Sequence, residues 1–195
     1  MPEDGQDEIA DLARGFNRML GACAAFVLTG VLTPVAVAKP PPTPAAQSRA
    51  VVPLSLVHHV AQREIALGLL AQVAAVRPET MVFATELETD FRLLDRRILV
   101  IAEALGIGEN RLRQAYADQN TAALDAQADE IRRLSLLRGE AFDRQFWVTV
   151  ARDHRAASDL LAAAAGTVSS LDALVDEAVR LLNRSIRNAT AAEAR

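Results

Sequence analysis

The chain has 195 residues, 51% of them hydrophobic and 4% aromatic, with a formal net charge of −4. That length allows one domain with a real core plus a leader, and the charge, without basic blocks, excludes a nucleic-acid surface. A single cysteine, Cys23, excludes an internal disulfide framework and a Cys-based zinc site, and three histidines (His58, His59 and His154) are a thin supply for metal chemistry.

Residues 19–38, MLGACAAFVLTGVLTPVAVA, carry no charge, and Arg14 and Arg18 stand just before them. Ala36-Val37-Ala38 has the small-x-small pattern that precedes signal-peptide cleavage, which predicts export and a mature chain beginning near Lys39. Pro34, near the end of the run, suits a signal peptide better than a membrane span. The alternative is an uncleaved inner-membrane anchor, because about 20 apolar residues can cross a bilayer. Either way the upstream arginines favour an inside N-terminus and leave the rest outside the cytoplasm. The expected location is periplasmic or outer-membrane associated, with membrane contact only through this segment. Leu20-Gly21-Ala22-Cys23 has the look of a lipoprotein cleavage box, but the apolar run follows Cys23 rather than preceding it.

Residues 39–52 begin KPPPTPAAQSR and read as a Pro-rich linker, because consecutive prolines favour extended backbone. The folded domain is expected over 53–190, with 191–195 as a tail. Alanine and leucine dominate, no Asn-Gly or Asp-Gly hairpin turn occurs, and apolar positions follow a helical period, so the class is all-α. Helix A is expected over about 53–76, stopped before Pro78, and helix B from Pro78 to about Leu105, closed by Gly106 and Gly108. A polar connection, 107–121, and a short helix, about 122–137, lead to helix C over about 140–165. Ser169 or Ser170 caps helix D, which runs to about Ala189. Two long hairpins joined by a crossing segment make a ferritin-like antiparallel four-helix bundle with a short extra helix in the crossing.

Three carboxylates stand at apolar helical positions. Around Asp153, offsets of three, four and seven reach Phe146, Thr149, Val150, Ala156, Ala157 and Leu160, all but Thr149 apolar, which points Asp153 toward the core, with His154 at the edge of the same stripe. Glu64 has Val57, Val60, Ala61, Leu67, Gly68 and Ala71 at these offsets. Asp90 has Phe83, Leu87, Leu93 and Leu94, but also Glu86 and Arg97. A buried carboxylate needs a partner. The expected arrangement is a hydrogen-bonded polar cluster, its carboxylates paired to His154 or to an arginine such as Arg97, with no cofactor and no catalytic residue. The alternative is a single metal ion on Glu64, Asp90, Asp153 and His154. A dimetal centre needs Glu-x-x-His pairs, and the sequence has none. His58 and His59 are read as structural, Trp147 as packing at a helix edge, and no nucleophile triad, phosphate loop or dinucleotide fingerprint occurs.

Two resemblances add to this. Asp7-Glu8-Ile9, Leu12 and Phe16-Asn17 with Met19 resemble the end of a HAMP signalling helix. From residue 54 to about 190 the chain resembles the exported bacterial family of domain of unknown function 4142, often labelled predicted outer-membrane protein. The residues that carry it are 61–68 (AQREIALG), 83–90, 124–139, Ala141-Phe142-Asp143-Arg144 and Ala151-Arg152-Asp153-His154. The resemblance implies a ferritin-like bundle with a Glu on helix A, an Asp-His on each of helices B and C, and a His on helix D. Glu64 and Asp153-His154 match this pattern. Asp90 is followed by Phe91, and helix D carries Asn183, Arg184 and Arg187 where the histidine would stand. The family brings no established reaction. The resulting expectation is a non-catalytic protein with a structural or interaction role in the bacterial envelope, its partner an envelope protein or itself. The alternative is a degenerate ferritin-like metal-binding or redox protein.

Overall fold

The computed structural model describes residues 43–166 and 171–193. The expected leader, the HAMP-like stretch, the start of the Pro-rich segment, Ser169 and Ser170 lie outside the described residues. Five helices are described, with no strand among them: α1 (Pro44–Ala74), α2 (Pro78–Ala104), α3 (Glu109–Ser135), α4 (Gly139–Ala164) and α5 (Asp172–Glu193). The all-α expectation holds.

The first helix begins at Pro44, not near Pro53, so most of the segment read as linker is helical. Both prolines suit a first turn, and the tie is broken by what precedes them. Thr43 is extended and its hydroxyl accepts the Ala46 N–H at 3.3 Å, a side-chain cap placed one residue before Pro44. Pro53 then sits inside α1, where it lacks the N–H that would have bonded the Arg49 carbonyl and turns its ring toward that oxygen. Ala50 and Leu54 are buried on either side of it.

Ala75, Val76 and Arg77 turn the chain into α2, so α1 and α2 form an antiparallel hairpin that packs along its length. Gly68 is where the two helices come closest. A Cβ added there would lie 2.8 Å from the Ala84 carbonyl oxygen and 2.9 Å from Glu88 Cβ. At the far end of α2, Gly106 takes φ +70°. Its N–H bonds Glu103 O at 2.8 Å, and Ile107 N–H bonds Ala102 O at 2.8 Å, which is a Schellman stop with Ile107 buried beneath it.

The segment expected as a polar connection is helical. α3 runs from Glu109 and bends at Asn120, whose backbone leaves the helical region at φ −134°, ψ 30°. Leu112 and Tyr116, four residues apart, are the buried pair that holds its first half. Residues 121–133, by contrast, include no buried residue. α4 and α5 pair as a second hairpin, and α1 touches all four other helices. The core includes Leu54, Leu67, Phe91, Leu94, Ile98 and Leu161. Phe83, Phe142, Phe146 and Trp147 form an aromatic group in it, with Phe83 and Trp147 centroids 4.7 Å apart. Trp147 is buried within it and donates its ring N–H to Thr80 Oγ1 at 3.2 Å. No described helix is long and apolar enough to cross a membrane.

Candidate functional site

The buried stripe of α4 passes through Phe142, Phe146, Val150, His154 and Leu161. His154, not Asp153, is the residue set into the core. Its side chain is 0% exposed, and Nε2–H donates to Glu64 Oε2 at 2.5 Å, with Glu64 1% exposed. The expectation that Asp153 faces the core is corrected by one helical position. Phe146 and Val150 support either phase, and the partners decide: α1 presents Glu64 to the imidazole and Arg63 to the carboxylate.

Asp153 therefore stands at the edge of a cleft between α1, α3 and α4. Arg63 of α1 bonds Asp153, bonds Glu130 of α3 at 3.1 Å, and lies 3.9 Å from Glu64 Oε1. Arg152 reaches round to the same place. Its Nε donates to Asp153 Oδ1 at 2.8 Å, and its guanidinium bonds Glu130. Two guanidinium groups thus share two carboxylates across three helices. Arg63 is almost wholly buried, whereas the Arg152 side chain is 59% exposed. Burial alone pushes the Asp153 carboxyl up. The Arg152 hydrogen bond and the Arg63 charge and hydrogen bond outweigh it and hold the group below its ordinary value. Arg63 is raised despite burial, through the charges of Glu64 and Asp153, and Arg152 is raised mainly by its bonds to Asp153 and Glu130.

The cleft has a volume of about 430 Å³. One wall is a slab formed by the His59 and Tyr116 rings, stacked 3.7 Å apart at 11°. His59 Nε2–H donates to Gln127 Oε1 at 2.7 Å, and burial holds this imidazole below its usual pKa. Burial likewise raises the Tyr116 phenol. The remaining walls include Ala123, Ala126, Ala156, Ala157 and Leu160.

Of the four residues expected to gather, Glu64 and His154 are in contact and Asp153 joins them through Arg63. Asp90 does not take part: it pairs with Arg184 of α5, and Thr85 and Glu86 line the same shallow site. Arg97, the expected partner for a buried carboxylate, instead meets Glu177 at 2.5 Å on the surface. Two buried carboxylates escaped the sequence reading. Asp95 accepts from His58 Nδ1–H at 2.7 Å and from Gln62 at 2.6 Å, and Phe91, Ile98, Leu99 and Ala102 at helical offsets signal its burial. Asp143 is fully buried and accepts the backbone N–H groups of Val76 at 3.2 Å and Arg77 at 3.1 Å. Among the described residues, no group of three or more His, Cys, Asp or Glu side chains is arranged to hold a metal ion.

Residues 35–192 match the family model described as a domain of unknown function, DUF4142, a span that contains the segment from residue 54 to about 190 whose short motifs suggested it and begins 19 residues before it. No curated protein and no solved structure matches the chain significantly.

Proposed function

The chain belongs to the DUF4142 family, and from that premise we propose that it is an exported helical module of the bacterial envelope, built on a ferritin-like plan, that acts by binding and not by catalysis. One observation carries the reading: Arg63, Arg152, Glu130 and Asp153, four charged groups of the cleft, are engaged with one another. A general acid or base needs a group poised near the working pH and open to a substrate. Asp153 is held low by two guanidinium groups, Glu130 accepts from both of them, and the imidazole of His154 is sealed in the core against Glu64. What the cleft offers instead is a fixed array of both charge signs beside small apolar walls, which is the make-up of a recognition surface. Export is supported by the uncharged run 19–38 behind Arg14 and Arg18, and the ferritin-like plan by two helical hairpins joined through α3. The partner is an envelope component or a second copy of the chain.

The second reading, a degenerate ferritin-like metal or redox protein, is favoured by the contact between Glu64 and His154. Its donor set is thin. Both Asp153 oxygens are bonded to guanidinium groups, and Asp90 is taken by Arg184, leaving two donors where such metals take about four or more.

The test is to recover the chain from fractionated cells, sequence its N-terminus and weigh it by native mass spectrometry. An envelope fraction starting near Lys39, with a bound adduct that is not a metal, is the expected result. Retention in the cytoplasm would overturn the export reading, and stoichiometric metal or measurable turnover would overturn the binding reading.

A further inference from the structure

The outward face of α2 carries an ordered stripe. Val82, Glu86, Thr89, Leu93, Arg96 and Val100 are all exposed, and they follow one another at steps of four, three, four, three and four residues. That alternation is the 3.5-residue repeat of a helix that packs along its length against another helix. At 1.5 Å per residue the stripe is about 27 Å long. Its apolar members stand well out of the surface, with Val82 60% exposed, Leu93 52% and Val100 65%. The core is served by the opposite face of the same helix, through Leu87, Phe91, Leu94 and Ile98. Val82, Glu86, Thr89, Arg96 and Val100 also line shallow depressions beside α5, which give a partner helix holes for its side chains.

The charges on the stripe point to the partner. Elsewhere on α2, Arg92 pairs with Glu88, Asp90 with Arg184 and Arg97 with Glu177. Glu86 and Arg96, the two charged residues of the stripe, have no ion pair or hydrogen bond among the described residues. Their placement is symmetric, because Phe91 lies midway between them, midway between Val82 and Val100, and midway between Thr89 and Leu93. A second α2 laid antiparallel about that point therefore sets Val82 against Val100 of the second copy, Glu86 against Arg96, and Thr89 against Leu93. Every position finds its mate, as a two-fold interface requires. A parallel pair would set Glu86 on Glu86 and Arg96 on Arg96, and like charges across an interface reject that arrangement. The exposed apolar stripe of α1, at Leu69, Val73 and Val76, carries no charge and so fixes neither register nor partner.

We propose that the chain forms a two-fold symmetric dimer in which the α2 stripes pack antiparallel, with two Glu86–Arg96 bridges crossing between the copies. This deepens the binding reading by naming a second copy as the partner left open there. The face is separate from the cleft, since α2 lines no part of it.

The test is sedimentation equilibrium of the chain as recovered from cells, at micromolar concentration, with native mass spectrometry to count the copies. A reversible dimer is expected. Glu86→Arg and Arg96→Glu each place like charges together at both bridges, and each is expected to weaken self-association by about a hundredfold or more. Both positions are exposed and unpaired within the chain, so circular dichroism should show each variant folded as before. Mixed in equal amounts, the two variants again offer opposite charges at both bridges, and a dimer with one copy of each, recognised by its mass, is expected to return. A monomeric parent chain, a dimer that survives either single variant, or single variants that stay apart when mixed would overturn the proposal. If the parent chain is monomeric while a non-metal adduct remains on it, the second copy falls as partner and the binding reading stands.

Discussion

Asp143 offers the sharpest test of how the fold is tied together. This carboxylate of α4 is fully buried, and its Oδ2 receives the N–H groups of Val76 and Arg77, the residues that turn α1 into α2. It therefore fastens the second hairpin to the corner of the first, and it places negative charge at the N-terminus of α2. Hydrogen bonds to a charged group contribute about 1.5–3 kcal/mol each. Two that share one oxygen do not add fully, so Asp143→Ala is expected to cost about 3 kcal/mol. For a chain of this size that lowers the melting temperature by roughly 6–12 °C. Asp143→Asn keeps an acceptor oxygen but loses the charge, and it sets an amide N–H₂ where Oδ1 now has no hydrogen-bond partner. Its cost should be about half as large. Urea unfolding followed by far-ultraviolet circular dichroism measures both, with Asp159→Ala, an exposed carboxylate on the same helix, as the neutral control. A loss below about 1 kcal/mol for Asp143→Ala would refute the assignment of Asp143 as the tie between hairpins.

Gly68→Ala forces a methyl against the Ala84 carbonyl. It should lower stability by about 1–2 kcal/mol, because overpacking exceeds the gain in helix propensity, and the thermal transition reads this directly. The folded Asp153 carboxyl is held below its ordinary 3.8. Its contribution is therefore complete above that pH and is lost as pH falls through the folded value. Asp153→Asn is expected to destabilise the chain at neutral pH and to flatten the acid limb of a stability-versus-pH curve; an unchanged limb would count against the Arg63 and Arg152 pairing. The His59 imidazole is held below its ordinary 6.5, chiefly by burial, so the stability it favours is complete above 6.5 and is lost as pH falls through the folded value. In His59→Gln, which cannot titrate, that loss should vanish from the same curve.

The class and order of the helices were legible in the sequence because proline, glycine and apolar spacing act locally. Pro78 and Gly106 stand where a boundary was expected from them alone. The start at Pro44 was hidden by a choice between two prolines that only the Thr43 cap resolves. The first half of α3 was missed because its helical signal is small: Leu112 and Tyr116 stand out from a segment that is otherwise polar. Within the site, the burial of Glu64 followed from its neighbours. The phase of Asp153 and His154 did not, since adjacent residues share the flanking apolar positions and the outcome depends on Arg63 and Glu64, ninety residues away in both contacts. Arg152 sits at an exposed position of α4, yet its length brings the guanidinium back to Glu130 and Asp153. Partners distant in sequence cannot be read from periodicity.

The bend at Asn120 divides α3 into two parts with different ties to the rest of the molecule. Before it, Leu112 and Tyr116 are buried; from 121 to 133 no residue is, and the half-buried Ile131 packs against the core near the end of that stretch. Apolar burial is what couples a segment to global unfolding, and polar contacts at a surface yield to water at little cost. The backbone amides of residues 121–133 should therefore exchange with solvent by local opening, orders of magnitude faster than those of α1 beneath them. A single unfolding free energy then describes the two hairpins but not this segment. Mild changes of salt or acidity act first on the segment, long before the hairpins respond.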